Sequence, residues 1–476
     1  MSLLIKNAEW IITLDSEGRR YRQADLLIEG PAIKAIGFNL PAGEGDEIIN
    51  AQGKVVLPGL INTHHHLYQT LTRNIPATQD IPLFPWLVTL YEIWRELTPE
   101  AVRLGALVGL GELLKTGCTC SSDHHYVFPR GQGNELIDIE IQAARELGIR
   151  FHATRGSMSL GKSQGGLPPD EVVQTEDEIL ADSERLIQKY HEAGHFAMCR
   201  IALAPCSPFS VTPELMRDSA ALARRYGVML HTHLAETLDE ERFCKEKFGR
   251  RPVEYMAELG WLGPDVWFAH AIHLSDAEVA LLGETKSGVA HCPVSNMKLS
   301  SGICRVNDLL SAGARVGLAV DGSASNDSSN MWNEMRIAYL LQKLAYGNNG
   351  LTAEEVLRLA TVGSAEVLGR EDIGYLAPGM AADIILINFE ELGFAGGQHD
   401  PVAAIITCGD SQLVDTTIVN GEVVVREGRL VKVDETEIVR QANRISGEML
   451  ARAGRRTGTD YCAYPKRCHA HNLTPQ

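Results

Sequence analysis

The sequence lacks any apolar run of about 18 residues, the length that marks a membrane-spanning helix. Its first apolar run is interrupted by Lys6, Asn7 and Glu9, and no small-residue cleavage site follows. The pattern does not indicate a secretory signal. We therefore expect a cytoplasmic protein without a membrane partner.

An excess of positive charge is also absent. The chain carries 44 lysines and arginines against 61 aspartates and glutamates, a formal net charge of -17. Such a surface repels a phosphate backbone and offers no broad cationic face. Nucleic acid is thus excluded as a partner, whereas a free nucleobase stays a candidate ligand.

Cysteine is sparse, with ten residues in 476. A disulfide framework is not expected in a chain of this size without a secretion signal, so most cysteines are predicted to be reduced core residues. Cys462 and Cys468 lie in a polar C-terminal tail, where metal binding or oxidation is the alternative. The composition of that tail is typical of a mobile terminus.

The length of 476 residues predicts a large domain together with a smaller one. Short apolar runs separated by turn residues fill the first fifty-odd residues and return in ADIILINF and TTIVNGEVVVREG, which is a strand pattern. We expect the two ends to pair into a small β-sandwich domain. The predicted segments are 1–57 and 371–435 for this sandwich, 58–370 for a central domain, and 436–476 for a C-terminal helix and tail.

The central domain alternates apolar strands with helical segments, which predicts βαβ units and a parallel sheet. Eight strand ends can be counted: LINTHHH, CTCSSDHH, IRFHATRGS, RIALAPCSP, VMLHTHLAE, VWFAHAIH, GVAHCPVSN and RVGLAVDGSASND. Eight such units fit a (β/α)8 barrel of the α/β class, whose chemistry lies at the C-terminal ends of its strands. The Gly- and Pro-rich segment RGSMSLGKSQGGLPPDEVVQTEDE is predicted to be a long loop over the barrel mouth.

Histidines and an aspartate gather at four of these strand ends. His64 and His66 are two residues apart on a strand, so their imidazoles point to the same face. Such a pair suits zinc or ferrous iron, although hydrogen-bonded core histidines give the same pattern. Later strand ends carry further candidates, namely His231, His233, Glu236, His270, His273 and Asp321. Packing alone does not explain the set, so we predict a metal site.

These segments resemble the amidohydrolase superfamily, and the resemblance covers nearly the whole chain, including the sandwich that GYLAPGMAADIILIN re-enters. It implies one divalent metal ion, zinc or else iron, with these ligands: His64, His66, His233 and Asp321. Binuclear members carry a lysine at the end of strand 4, where IALAPCSPFS has none. His231 has the same strand parity as His233 and stays an alternative, but the family's HxxE spacing runs from His233 to Glu236.

The resemblance also implies three catalytic residues. Asp321 would take a proton from a water whose pKa the metal lowers to about 7, and His270 would stabilise the developing charge. Glu236 would protonate a ring nitrogen of the substrate; its alternative interpretation is an exposed loop carboxylate. A second zinc deaminase design requires PCxxC, which this sequence lacks.

The HxxE spacing and HCPVSNMKLSSG resemble the deaminase and chlorohydrolase branch, which acts on C–N or C–halogen bonds of small N-heterocycles. Longer segments, among them TRGSMSLG and HTHLAETLDEE, are similar to the 8-oxoguanine deaminase family. That similarity implies conversion of 8-oxoguanine to urate and ammonia. The alternatives are a hydroxytriazine aminohydrolase, an isocytosine or pterin deaminase, and a noncatalytic scaffold barrel.

Six residues at or just past strand ends are predicted to line the substrate pocket: Gln69, Trp86, His124, Tyr126, Arg155 and Cys206. Each also has a structural alternative. Arg155, for example, would pair with a carboxylate below the site, and Trp86 would only pack its own loop. Large enzymes of this kind are often symmetric, so we expect a homo-oligomer.

Overall fold

The barrel predicted from the strand ends is present in the computed structural model, which describes residues 2–408 and 414–464. Its eight strands form one sheet in which all neighbours are parallel. We number them barrel strands 1 to 8 in chain order: Leu60–Asn62, Cys118–Ser122, Arg150–Ser157, Cys199–Pro205, Met229–Leu234, Val266–His270, Gly288–His291 and Arg315–Leu318.

Barrel strands 1 and 8 meet through a short ladder that closes the sheet. The Thr63 N–H and hydroxyl donate to the Leu318 carbonyl over 3.2 and 3.1 Å. Beyond it, His65–His66 pairs in parallel with Asp321–Gly322. The closure confirms the (β/α)8 barrel and places the first and last polar strand ends side by side.

Helices fill the connections around the barrel. The α-helices of the described residues are as follows: Leu83–Trp94, Pro99–Lys115, Leu136–Leu147, Glu176–Tyr190, Pro213–Tyr226, Leu238–Phe248, Pro252–Glu258, Asp276–Glu284, Pro293–Lys298, Val306–Ala312, Ser323–Asn326, Met331–Tyr346, Ala353–Arg358, Ser364–Val367, Pro401–Thr407 and Glu435–Thr457. Short 3-10 helices lie at Leu67–Thr72, Pro76–Thr78, Lys162–Gln164, Asp170–Val172, Gly347–Asn349 and Leu392–Phe394, and a π-helix at Leu359–Gly363. Within the described ranges no helix has the length and apolar character to cross a membrane.

The two ends of the chain share a second, mixed sheet. Its strands are Ser2–Ile12, Arg20–Glu29, Ala32–Gly37, Glu47–Asn50, Lys54–Pro58, Ile384–Asn388, Thr416–Val419, Glu422–Arg426 and Arg429–Leu430. Lys54–Pro58 runs antiparallel to Ile384–Asn388, with Val56 opposite Leu386. The prediction that the N- and C-terminal segments pair is therefore confirmed.

The predicted long loop after barrel strand 3 is shorter than expected. Glu176–Tyr190 is helical, so the TEDE end of the segment belongs to a helix rather than to the loop. The reason is a capping box, in which Thr175 and Glu178 bond each other's backbone N–H groups. In the tail, Cys462 is exposed, whereas Cys468 lies outside the described residues.

A buried ion pair joins the barrel to the mixed sheet. The Arg150 guanidinium, on barrel strand 3, donates to both carboxylate oxygens of Asp383 over 3.0 and 2.8 Å. It also donates to the carbonyls of Phe196 and Ala197, and both members of the pair are almost fully buried. With the Asn420 side-chain oxygen, which accepts over 3.1 Å, all five N–H groups of this cation have an acceptor.

We expect Asp383→Asn to lower the free energy of unfolding by about 3–5 kcal/mol, because it leaves a buried guanidinium without its counter-charge. Urea unfolding measures the change. Asp276→Asn is the control, since the Asp276 side chain is 92% exposed in its pair with Arg305. Equal losses in the two variants would show that the pair does not join the two parts of the fold.

Candidate metal centre

The polar strand ends converge at one place on the C-terminal rim of the barrel. His64 and His66 follow barrel strand 1, His233 lies on strand 5, His270 ends strand 6 and Asp321 follows strand 8. Atoms of His64, His66, His124 and His233 lie within 4.8 Å of one another, as do atoms of His64, His270 and Asp321. The described residues therefore contain a His/Asp cluster that could hold a metal ion.

Backbone carbonyls fix the ring protons of two histidines. Nδ1 of His66 lies 2.7 Å from the carbonyl oxygen of His124, and Nδ1 of His233 lies 2.7 Å from that of Cys206. A carbonyl oxygen only accepts, so each Nδ1 must carry the hydrogen. Nε2 of both rings is then left with a lone pair.

His64 also carries its proton on Nδ1, and this proton is fixed by a second histidine, His231. Nδ1 of His231 donates to the Trp267 carbonyl over 2.9 Å, which leaves Nε2 of His231 as an acceptor. Nδ1 of His64 lies 2.7 Å from that atom and donates to it. Nε2 of His64 is buried and, among the described residues, has no hydrogen-bond partner.

Two of these lone pairs face one carboxylate, and the third faces His66. Nε2 of His64 and Nε2 of His66 each lie 3.3 Å from Oδ1 of Asp321, and Nε2 of His66 lies 3.1 Å from Nε2 of His233. Four acceptor atoms at these distances repel one another unless a cation lies between them. Three imidazole nitrogens and one carboxylate form a donor set that suits zinc, so the residues present fit a metal ion.

Burial favours the neutral imidazoles that metal binding requires. It lowers the pKa of His64, His66 and His233 below the ordinary value. Burial alone would raise the pKa of Asp321, but the neighbouring histidines, His270 among them, lower it well below its ordinary value. At neutral pH the cluster therefore contains neutral rings and an ionised carboxylate.

Asp321 is held in an unusual backbone conformation. Its φ is 61°, in the left-handed region. Oδ1 accepts from the Gly322 N–H and Oδ2 from the Ser295 hydroxyl, each over 2.6 Å. Any Cβ at residue 322 would lie 2.0 Å from Oε1 of Gln69, which explains the glycine there.

Glu236 and His270 lie beside the cluster. Nε2 of His270 is 3.7 Å from Oε2 of Glu236 and 3.9 Å from Oδ2 of Asp321, while its Nδ1 donates to Asn296 over 2.8 Å. Glu236 is only 7% exposed and accepts from the Ser301 hydroxyl, so it is not an exposed loop carboxylate. Burial raises the pKa of Glu236, which favours a proton on this carboxyl.

The remaining predicted histidines have other partners. Both ring nitrogens of His231 are hydrogen bonded, so of the two candidates on strand 5 only His233 directs a lone pair into the cluster. Nε2 of His273 lies 2.8 Å from the Ser301 carbonyl. His124 stacks on His233 at 4.7 Å and donates from Nε2 to Ala204.

A cavity with a mainly apolar wall opens onto the cluster. Four of the six predicted pocket residues line it: Gln69, Trp86, Tyr126 and Cys206. Its free volume is about 40 Å³. Glu236, His270 and Asp321 also line this cavity, so a ligand held in it would contact the cluster.

Two predicted pocket residues lie outside this lining. The Arg155 guanidinium is buried in an ion pair with Asp182 at 2.6 Å and lies 4.0 Å from the centre of the Phe128 ring. His124 packs behind His66 and His233 instead of facing the cavity. The sequence locates both residues at strand ends but does not reveal their depth below the rim.

Most of the apolar side chains that line the cavity were not predicted from the sequence. Leu83, Leu87 and Tyr91 line the cavity together with Trp86, all from the helix Leu83–Trp94. Their spacing of three and four residues was visible in LFPWLVTLYEIW and indicates one helix face. Ser295, Asn296 and Ser301 were also missed, because a segment similarity does not reveal which side chains hold the cluster.

Comparison with known proteins gives similarity over nearly the full length. Residues 55–424 match the amidohydrolase family. The 8-oxoguanine deaminase of Pseudomonas aeruginosa is 52% identical over 424 residues, which are 89% of this chain and 94% of that protein. Hydroxydechloroatrazine ethylaminohydrolase of Pseudomonas sp. strain ADP is 38% identical, over 95% of this chain and 98% of the relative.

Solved structures agree with these sequence matches. The crystal structure of atrazine chlorohydrolase from Arthrobacter aurescens TC1 complexed with zinc has a TM-score of 0.90 and 37% identity to this chain. The match covers 93% of this chain and 100% of that one. Barrel and mixed sheet together are thus shared with a zinc-bound hydrolase.

Proposed function

The chain belongs to the amidohydrolase family and is a hydrolase that acts on C–N bonds, and we propose that it converts 8-oxoguanine and water to urate and ammonia. The proposal is supported by the gathering of the His64, His66 and His233 Nε2 atoms with the Asp321 carboxylate, in a chain 52% identical to an 8-oxoguanine deaminase. The net charge of the chain, -17, disfavours binding of a nucleic acid but does not oppose binding of an uncharged nucleobase.

We propose that one divalent metal ion, zinc or else iron, is held by His64, His66, His233 and Asp321. Bound there, it would supply Lewis-acid chemistry and lower the pKa of water. The hydrogen bonds on Nδ1 support this assignment, because they leave Nε2 of each ring free for a cation.

Two side chains then transfer protons, and a third stabilises charge. Asp321, ionised beside the cluster, accepts a proton from the attacking water, and His270 stabilises the charge that develops on the oxygen. Glu236 keeps a proton because burial raises its pKa, and it donates that proton to the ring nitrogen next to the amino-bearing carbon. The ring carbon gains an oxygen and loses its exocyclic amine. Asp321 passes its proton to the departing ammonia, and the proton of the added hydroxyl replaces the one that Glu236 gave to the ring nitrogen, so both carboxyls regain their starting state.

The cavity wall supports a flat heterocycle as the substrate. Leucines and aromatic rings can cover the faces of a ring, and Gln69 offers both a donor and an acceptor to its edge. We propose Gln69, Trp86, Tyr126 and Cys206 as substrate contacts. His124, stacked on His233, would support the site from behind, whereas Arg155 is paired with Asp182.

A hydroxytriazine aminohydrolase is the second candidate, favoured by the 38% identity to hydroxydechloroatrazine ethylaminohydrolase. Its reaction would use the same residues with a differently shaped wall. The domain limits 1–57, 58–370, 371–435 and 436–476, a homo-oligomeric state and a cytoplasmic location stay predictions from the sequence.

Ammonia release from a panel of heterocycles tests the substrate. We expect 8-oxoguanine to be turned over fastest, with urate as the product, and guanine, isocytosine, isoxanthopterin and a hydroxy-aminotriazine to be slower. Turnover of another base alone would keep the chemistry and reject 8-oxoguanine. If the metal-loaded protein released ammonia from none of these compounds, the result would favour a noncatalytic barrel.

Glu236→Gln should retain the metal and lose most turnover, because the amide fills the same space but carries no transferable proton. Loss of general acid catalysis corresponds to a fall in kcat of about 10²–10⁴-fold. Metal analysis and steady-state kinetics on one preparation measure both quantities. Full activity in this variant would exclude the proton-transfer role.

His233→Ala should reduce the metal content, whereas His231→Ala should have the smaller effect. His233 directs a lone pair into the cluster, while His231 acts only through Nδ1 of His64. Metal content per chain after dialysis against a weak chelator distinguishes the two. Greater loss in His231→Ala would transfer the ligand role to His231.

A further inference from the structure

Glu240 is a buried carboxylate that the proposed chemistry does not use. It is 1% exposed and lies in the first turn of the helix Leu238–Phe248. Both of its oxygens accept from backbone N–H groups, Oε1 from Ala235 over 2.8 Å and Oε2 from Glu236 over 3.0 Å. No ion pair links it to a cationic side chain of the described residues.

The loop that these bonds hold carries the proposed acid. Ala235 has a φ of 53°, a left-handed conformation that a residue with a Cβ seldom adopts. Its carbonyl oxygen accepts from the N–H groups of Ile272 and His273 over 3.0 and 2.9 Å, just past the end of barrel strand 6. The peptide groups around Ala235 are therefore held on one side by Glu240 and on the other by the loop that follows His270.

The Glu236 side chain itself has little support of its own. Its hydrogen bond from the Ser301 hydroxyl is 3.2 Å long, and Nε2 of His270 is 3.7 Å away. The direction of the carboxyl thus depends mainly on the backbone of residues 235 and 236. A shift there of about 1 Å is the size of misplacement that can cost about 100-fold in rate.

We propose that Glu240 is a positioning residue, whose carboxylate fixes the left-handed turn at Ala235 and thereby holds Glu236 in reach of the substrate. The inference rests on the proposed proton transfer by Glu236. It differs from a purely structural role, in which Glu240 would stabilise the protein without changing what Glu236 does.

The test compares Glu240→Gln with Glu246→Gln. Both changes convert a glutamate of the same helix into its amide, but Glu246 is exposed. In Glu240→Gln one acceptor oxygen becomes an NH₂ group that opposes a backbone N–H. We expect kcat to fall about 100-fold, as for a misplacement of about 1 Å, with metal content unchanged and KM little altered. Glu246→Gln should behave as the unaltered protein.

A double-mutant cycle separates positioning from general stability. If Glu240 acts through Glu236, Glu240→Gln should cost little further rate in a Glu236→Gln background. Full additivity of the two losses would overturn the proposal, as would an unchanged kcat or a loss of metal in Glu240→Gln. The cycle is run on whichever heterocycle of the panel the unaltered protein turns over, so rejection of 8-oxoguanine alone does not affect it.

Hydrogen exchange supplies a readout that needs no turnover. The Ala235 and Glu236 amides should exchange faster in Glu240→Gln than in Glu246→Gln, because the carboxylate that protects them is altered. Unchanged exchange at these two amides would overturn the proposal even if the protein turned over none of the panel. Faster exchange with no turnover would keep the positioning contact while the catalytic proposal fails.

Discussion

The structure depends on four hydrogen bonds that decide which nitrogen of His64, His66 and His233 faces the centre of the barrel rim. His66 and His233 donate Nδ1–H to carbonyl oxygens, and His64 donates to His231, which in turn donates to a carbonyl. Because a carbonyl cannot donate, the tautomers follow from the backbone alone. Three buried lone pairs and one carboxylate are thereby brought to within hydrogen-bonding distances with no proton to share, an arrangement that a cation stabilises.

The barrel supplies these carbonyls from strands other than those that carry the ligands. The oxygen of His124 follows strand 2, that of Cys206 follows strand 4, and that of Trp267 belongs to strand 6. The register between neighbouring parallel strands thus sets the protonation of the site. Closure of strand 1 against strand 8 adds the carboxylate, because it brings Asp321 beside His64 and His66.

The sequence predicts the barrel and the cluster because both depend on short-range regularities. The two-residue spacing of His64 and His66 predicts one shared face, and the strand ends of a parallel barrel share one rim. Parity alone does not separate His231 from His233; the structure does so through the partners of their ring nitrogens. Arg155 was predicted in the pocket, with pairing to a carboxylate as the alternative, and the structure pairs it with Asp182. The Glu240 carboxylate accepts hydrogen bonds from the backbone of Ala235 and Glu236. Such contacts depend on packing depth and on a left-handed turn, which residue spacing does not encode.

X-ray absorption on the zinc-loaded protein distinguishes the proposed nitrogen and oxygen ligands from a nearby sulfur. The hydrogen bonds described above predict a first shell of nitrogen and oxygen alone, with zinc–nitrogen distances of about 2.0–2.1 Å and about three imidazoles. Cys206 lines the cavity with its sulfur 4.0 Å from Nδ1 of His233 and is the nearby competitor. A sulfur shell at about 2.3 Å, or fewer than three imidazoles, would contradict the assignment of His64, His66 and His233.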